Sequence, residues 1–182
     1  MSEVGPADVV GLLRELGLGV ATAESLTGGL VCAALTDVPG SSAVVRGGVV
    51  SYATDVKASV LGVDVGLLAA RGAVDPDVAV AMAEGVRRLL GSDLAVATTG
   101  VAGPDPADGQ PVGTVFVGVA GPAGTAVERH ALSGDRAAVR SASVAAALDL
   151  VHRTLRNLRA DRGVEGYGGP TTRVPTRQEE AP

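Results

Sequence analysis

Apolar positions recur along the chain with two periods. Val9, Leu12, Leu13 and Leu16 fall at helical spacing within residues 7–17, and Gly17 is the expected stop. Residues 18–23 (Leu-Gly-Val-Ala-Thr-Ala) read as a short first strand, and the turn from Glu24 to Gly29 feeds a helix through Asp37. Pro39-Gly40-Ser41-Ser42 is a turn by composition. Residues 47–52 read as a second strand and Asp55 to Leu61 as a short helix. Asp75-Pro76 opens a helix, with Asp as N-cap and Pro at the first helical position, running through Val78, Met82, Val86 and Leu90 to Gly91. A buried-type strand over Leu94 to Thr99 leads into a long loop, residues 100–113. Strands over 114–120 and 125–132 are joined at Gly121-Pro-Ala-Gly124 as a hairpin, and Ser133-Gly-Asp135 caps an Ala-rich helix from Arg136 to Leu158. From Arg159 the chain turns Gly-, Pro-, Arg- and Glu-rich. Residues 159–182 are expected to be a disordered tail, with Tyr167 no part of a site, after one domain over 1–158.

Composition narrows the function. The 182 residues have no Trp, one Phe and two Tyr, so the core is aliphatic. A net charge of -5 argues against a general nucleic-acid surface, which needs a basic face. One cysteine, Cys32, excludes an internal disulfide, and His130 and His152 are too few and too far apart for a zinc site. No charged-then-apolar leader and no apolar run of about 18 residues appears, so a cytoplasmic protein with no membrane partner is expected.

Lys57 is the only lysine; every other member of the fifteen Lys and Arg residues is Arg. Arginine stays charged, whereas a desolvated lysine can lose its proton, so the exception points to an amine that acts as a base. The alternative is one surviving surface lysine. In the first turn of a helix the dipole disfavours the ammonium and lowers the amine pKa. The hydroxyl of Ser42 and the amine of Lys57 meet only if the strand between them returns to the turn.

The Glu24–Gly29 turn offers two readings. Hydroxyls and glycines at a helix start favour an anion, or the turn is a plain cap with Ser25 or Thr27 as capping residue. Glycines after the 94–99 strand let a ligand approach the backbone, or the loop is a surface connection. Arg136 and Arg140 share a helix face and suit a phosphate or carboxylate, or form a solvated charged face.

Five stretches together carry a resemblance. Ala23-Glu24-Ser25-Leu26-Thr27-Gly28-Gly29, Pro39-Gly40-Ser41-Ser42, Val50-Ser51-Tyr52 with Lys57, Thr99-Gly100-Val101-Ala102-Gly103-Pro104 and Ser133-Gly134-Asp135-Arg136 resemble the CinA C-terminal domain family. The likeness covers roughly residues 5 to 158 in unbroken order. It implies a three-layer α/β/α sandwich around a mixed, mostly parallel sheet. It also implies an amidohydrolase that converts nicotinamide mononucleotide (NMN) to nicotinate mononucleotide and ammonia, without a metal or cofactor.

By that likeness Ser42 is the nucleophile, Lys57 its general base and Tyr52 a hydrogen-bonding support. Ser25, Thr99 and Arg140 fall in the substrate site, with Arg136 as a candidate to share Arg140's work. Thr27, Gly28, Gly29 and Gly100 complete the expected substrate-binding set, with Gly28-Gly29 and the Arg140 helix as the phosphate cradle. Oxyanion donors are expected near the Ser41-Ser42 turn or the Gly100 loop. Leu26 departs from members that carry Cys there. The resemblance suggests a dimer or larger assembly and no direct nucleic-acid partner. Two alternatives stand beside it: a non-catalytic competence- or damage-associated protein that binds a protein partner, and an amidase for another small amide.

Overall fold

The structure is a computed structural model and describes residues 4–163. Five strands form one sheet in the order β2-β1-β3-β4-β5: β1 Val20–Glu24, β2 Val45–Val50, β3 Leu94–Gly100, β4 Thr114–Gly121 and β5 Gly124–Ala131. β1 runs parallel to both β2 and β3, while β4 is antiparallel to β3 and to β5, so only β4 opposes the common direction. The sheet is mixed and mostly parallel, as expected.

Helices cover both faces. α1 (Pro6–Leu16), α2 (Leu30–Thr36) and α6 (Arg136–Asp161) pack on one side, and α5 (Pro76–Leu90) with α3 (Thr54–Leu61) on the other. α4 (Val65–Arg71) completes the second layer, which makes the three-layer sandwich. The strand periodicity of two sorts the side chains. Val20, Leu94, Val96, Val115, Val117 and Val119 join Val9, Leu13, Val151 and Leu155 in the larger core. Ala21, Ala23, Ala95, Ala97 and Ala120 face Val78, Met82, Ala83 and Val86 of α5 in the smaller one.

Small residues on this second face let α5 lie close to the sheet. A Cβ at Gly118 would stand 2.7 Å from the Ala79 carbonyl, and one at Gly85 only 2.1 Å from the Leu61 carbonyl. The Gly85 contact seats α3 against α5, and α3 carries Lys57.

Most predicted boundaries hold within three residues. Gly17 ends α1 with φ 64°, Asp75 caps α5 by accepting from Asp77 N–H, and Asp135 caps α6 by accepting from Ala138 N–H. α6 continues three residues past Leu158 to Asp161, because its apolar stripe is still packing at Leu155 and Leu158. α4 had no sequence expectation. The expected tail beyond residue 163, with Tyr167, lies outside the described residues.

Candidate active site

The crossover from β1 to β2 passes through α2 on one face, and the crossover from β2 to β3 passes through α3, α4 and α5 on the other. Adjacent parallel strands whose connections leave to opposite faces open a crevice at their carboxyl ends, where ligands bind in open α/β sheets. Here those strands are β1 and β2, and Ser25 follows directly on β1.

Alternation along β1 divides two neighbouring side chains. Glu24 continues the side of Val20 and Thr22, and its carboxylate accepts from the backbone N–H groups of Gly29, Val31 and Cys32 at 2.9, 3.0 and 2.8 Å. The start of α2 is therefore closed by an internal carboxylate, and Gly28 N–H donates to Ser25 O. This corrects the expected anion cradle at Gly28-Gly29, and also the alternative that Ser25 or Thr27 caps the helix. The N–H groups an anion would need already have a buried acceptor, which is 1 % exposed.

Ser25 continues the side of Ala21 and Ala23 and meets α3. The Lys57 amine lies 3.1 Å from Ser25 Oγ, 2.8 Å from the Ser51 carbonyl and 3.2 Å from the Tyr52 carbonyl. Lys57 is 1 % exposed and Ser25 9 %. Burial lowers the amine pKa from 10.5 to about 8, and the nearby charge of Asp108 opposes that shift. The expected direction holds, but the main cause is loss of solvent. The Ser51 hydroxyl beside this cluster is fully buried and has no hydrogen-bond partner among the described residues.

When uncharged, the amine has two hydrogens and one lone pair. Two carbonyls face it, so both hydrogens have acceptors and the lone pair is left for the Ser25 hydroxyl to donate into. This is the geometry of a nucleophile beside its base.

Ser42 is not part of it. It is exposed in the single 3₁₀ turn Ser41–Ala43 that precedes β2, whereas the carbonyls around Lys57 follow β2. Six residues of strand, roughly 20 Å, separate the two ends. The expected Ser42–Lys57 pair is corrected to Ser25–Lys57: β2 runs away from the turn instead of returning to it.

The remaining candidates divide in the same way. Tyr52 supports the amine through its main-chain carbonyl; the residue is 60 % exposed, and its phenol accepts from Arg136 Nη2 at 2.9 Å. Arg136 Nη1 donates to the Gly103 carbonyl at 2.7 Å, so this guanidinium spans the mouth between the β2–α3 connection and the β3–β4 loop. Arg140 turns inward instead. Its Nε donates to the Leu26 carbonyl and its Nη2 to the Thr27 carbonyl, both at 2.9 Å.

Thr27 and Thr98 join hydroxyls at 2.7 Å. Thr99 continues the side of Ala95 and Ala97, which is also the side of Ser25, and its hydroxyl donates to the Ala73 carbonyl at 2.6 Å. Gly100 serves strand packing, since a Cβ there would lie 2.6 Å from Thr114 O. Asp108 was missed by sequence reasoning; it reaches the site only because its carboxylate docks on Ala73 N–H at 2.6 Å. Among the described residues no group of three or more His, Cys, Asp or Glu side chains is placed to hold a metal, and no helix is long and apolar enough to cross a membrane.

Known proteins carry the same architecture. The family model of the CinA C-terminal domain matches residues 4–155. A CinA-like protein of Frankia casuarinae is 55% identical over 163 residues, covering 89% of this chain and 38% of the relative. A CinA-like protein of Geobacter sulfurreducens is 50% identical over 148 residues, covering 81% of this chain and 36% of its own length. The chain thus spans well under half the length of these curated relatives.

Among solved structures, a competence-damaged protein (CinA) superfamily protein from Klebsiella pneumoniae aligns with a TM-score of 0.81 and 33% identity, over 84% of this chain and 96% of that one. The competence/damage inducible protein CihA of Agrobacterium tumefaciens aligns with a TM-score of 0.75 and 38% identity, over 86% and 99%. By sequence, by fold and by the order of its motifs, this chain belongs to the CinA C-terminal domain family.

Proposed function

We propose that the domain is an amidohydrolase in which Ser25 attacks a carboxamide with Lys57 as its base. The observation that carries this reading is the buried amine, 3.1 Å from a hydroxyl, with two carbonyls taking its hydrogens. Ser25 Oγ bonds to the carboxamide carbon as its proton passes to Lys57, and the C=O electron pair moves to oxygen. The C–N bond then breaks, and the Lys57 proton leaves with the nitrogen as ammonia. Water attacks the resulting ester, Lys57 takes one of its protons and returns it to Ser25 Oγ, and the carboxylic acid is released. The balance is amide plus water to acid plus ammonia.

For the substrate we propose nicotinamide mononucleotide, on the family resemblance. Its phosphate needs a cation that solvent can reach. Both arginines have two donor groups engaged, but Arg140 is half-buried on backbone carbonyls whereas Arg136 is exposed at the mouth, so Arg136 is the favoured phosphate contact. The test is ammonia release from NMN by the native chain and by Ser25→Ala and Lys57→Arg. Turnover that disappears in both variants supports the reading. A native chain inert toward NMN but active on another amide in a small panel would move the substrate, and full activity of Ser25→Ala would remove the nucleophile.

A further inference from the structure

The backbone between β1 and α2 leaves two N–H groups over. Ser25 N–H donates to Thr98 O at 3.0 Å, Gly28 to Ser25 O at 3.1 Å and Leu30 to Thr27 O at 3.3 Å, while Gly29, Val31 and Cys32 are held by Glu24. Leu26 N–H and Thr27 N–H have no acceptor among the described residues. Both residues are buried, at 4 % and 0 % exposure. Buried backbone donors are almost always paired, so two in succession call for an acceptor that arrives from outside the chain. They immediately follow the hydroxyl that meets Lys57. In serine hydrolases the N–H after the nucleophile is a recurrent donor to the developing oxyanion.

Arg140 sets the direction of one of them. Among the described residues the only cis peptide is Gly103-Pro104, so the Leu26–Thr27 unit is trans and planar, with C=O and N–H pointing opposite ways. Arg140 Nε holds the Leu26 carbonyl on the α6 side, which turns Thr27 N–H away from α6. Nη2 on the Thr27 carbonyl locks the next unit as well. A charged donor on a carbonyl also polarises its peptide and strengthens the N–H at the other end.

Resting on the Ser25 reading above, we propose that the N–H groups of Leu26 and Thr27 form the oxyanion hole, and that Arg140 is a positioning residue that aims and polarises them without touching substrate. The assignment replaces the expected donors at the Ser41-Ser42 turn, which lies at the far end of β2. It also makes the identity of the side chain at position 26 secondary, because the main chain does the work.

The experiment compares kcat and KM for NMN in the native chain, Arg140→Lys and Arg140→Ala. Arg140→Ala is expected to lose about 10²–10³ in kcat, the usual cost of one oxyanion donor, with KM within about threefold. Added guanidinium restores part of that kcat, and Arg140→Lys falls between. The affinity of a boronic acid that forms a tetrahedral adduct on serine weakens in step with kcat, while that of nicotinate mononucleotide does not.

If Arg140→Ala does not fold, the α-hydroxy analogue of threonine at position 27 puts an ester oxygen in place of the N–H and is expected to cost about 10²-fold in kcat. A raised KM with intact kcat would make Arg140 a substrate contact and overturn the inference. So would a position-27 ester with native turnover. A native chain without amidase activity, or an unaffected Ser25→Ala, would instead end the reading beneath it.

Discussion

The two ends of the parallel strands present the same kinds of residue in opposite settings. At the amino end, Ser42 is exposed beside an open cleft of about 510 Å³ lined by Arg14, Gly19, Arg46 and Asp93. At the carboxyl end, Ser25 and Lys57 are almost sealed, and every hydrogen of the amine has an acceptor. The open cleft has only arginines as cations, and arginine does not give up its proton. The tighter end has the one lysine, with burial holding its pKa near 8. Space alone does not make a reactive hydroxyl; a desolvated base within hydrogen-bond distance does.

The largest effect that would break this comparison is on the serines. Ser25→Ala is expected to lower ammonia release from NMN by at least about 10³-fold, as removal of a nucleophile does, while Ser42→Ala stays within twofold of native. Reversed values, measured as kcat/KM, would put the chemistry at the amino end.

Lys57→Met separates the site from the fold. Turnover should fall by about 10²–10⁴, the range for loss of a general base. Stability should not fall. The folded amine pKa, about 8, lies below its ordinary 10.5, so the unfolded chain binds more protons between those values. The penalty on folding is full below pH 8 and fades as pH rises toward 10.5. Lys57→Met removes it, so the variant's Tm at pH 7 should match or exceed the native one, and the native rise of Tm from pH 8 to 10 should vanish.

A third test moves the base without removing it. Because only the neutral amine accepts a proton, kcat/KM should fall tenfold per pH unit below about 8. Asp108 favours the ammonium, so Asp108→Asn should shift this limb to lower pH, leaving the variant faster than native at pH 6.5. A limb that moves upward would contradict the assignment. The smallest effect is at the mouth: Arg136→Gln should raise KM for NMN about tenfold, equivalent to roughly 1.4 kcal/mol, with little change in kcat.

Local signals carried much of the fold. Asp75-Pro76, Asp135, Gly17 and the Gly121–Gly124 hairpin act within a few residues, and each sits where its chemistry says. α4 was illegible because it is one short helix, Val65–Arg71, with a single buried side chain, Leu68, and an Asp64 cap that looks like any loop aspartate. The unique lysine was legible as an exception in composition. Its partner was not, because Ser25 and Ser42 are both small hydroxyls in turns, and only strand direction tells them apart.

One signal was available. Ala21, Ala23 and Ser25 share a face by alternation, opposite to Glu24, which predicts separate tasks for the two neighbours. Asp108 and the spent donors of Arg140 had none, since both depend on carbonyl and N–H groups 35 and more than 100 residues away in the chain.

The most direct measurement is the position of the covalent intermediate. The native chain is quenched in acid during NMN turnover and cleaved with trypsin, and the one peptide that holds both serines, residues 15–46, is sequenced by fragmentation. The nicotinate-mononucleotide acyl mass should lie on Ser25. The same mass on Ser42 would contradict the account.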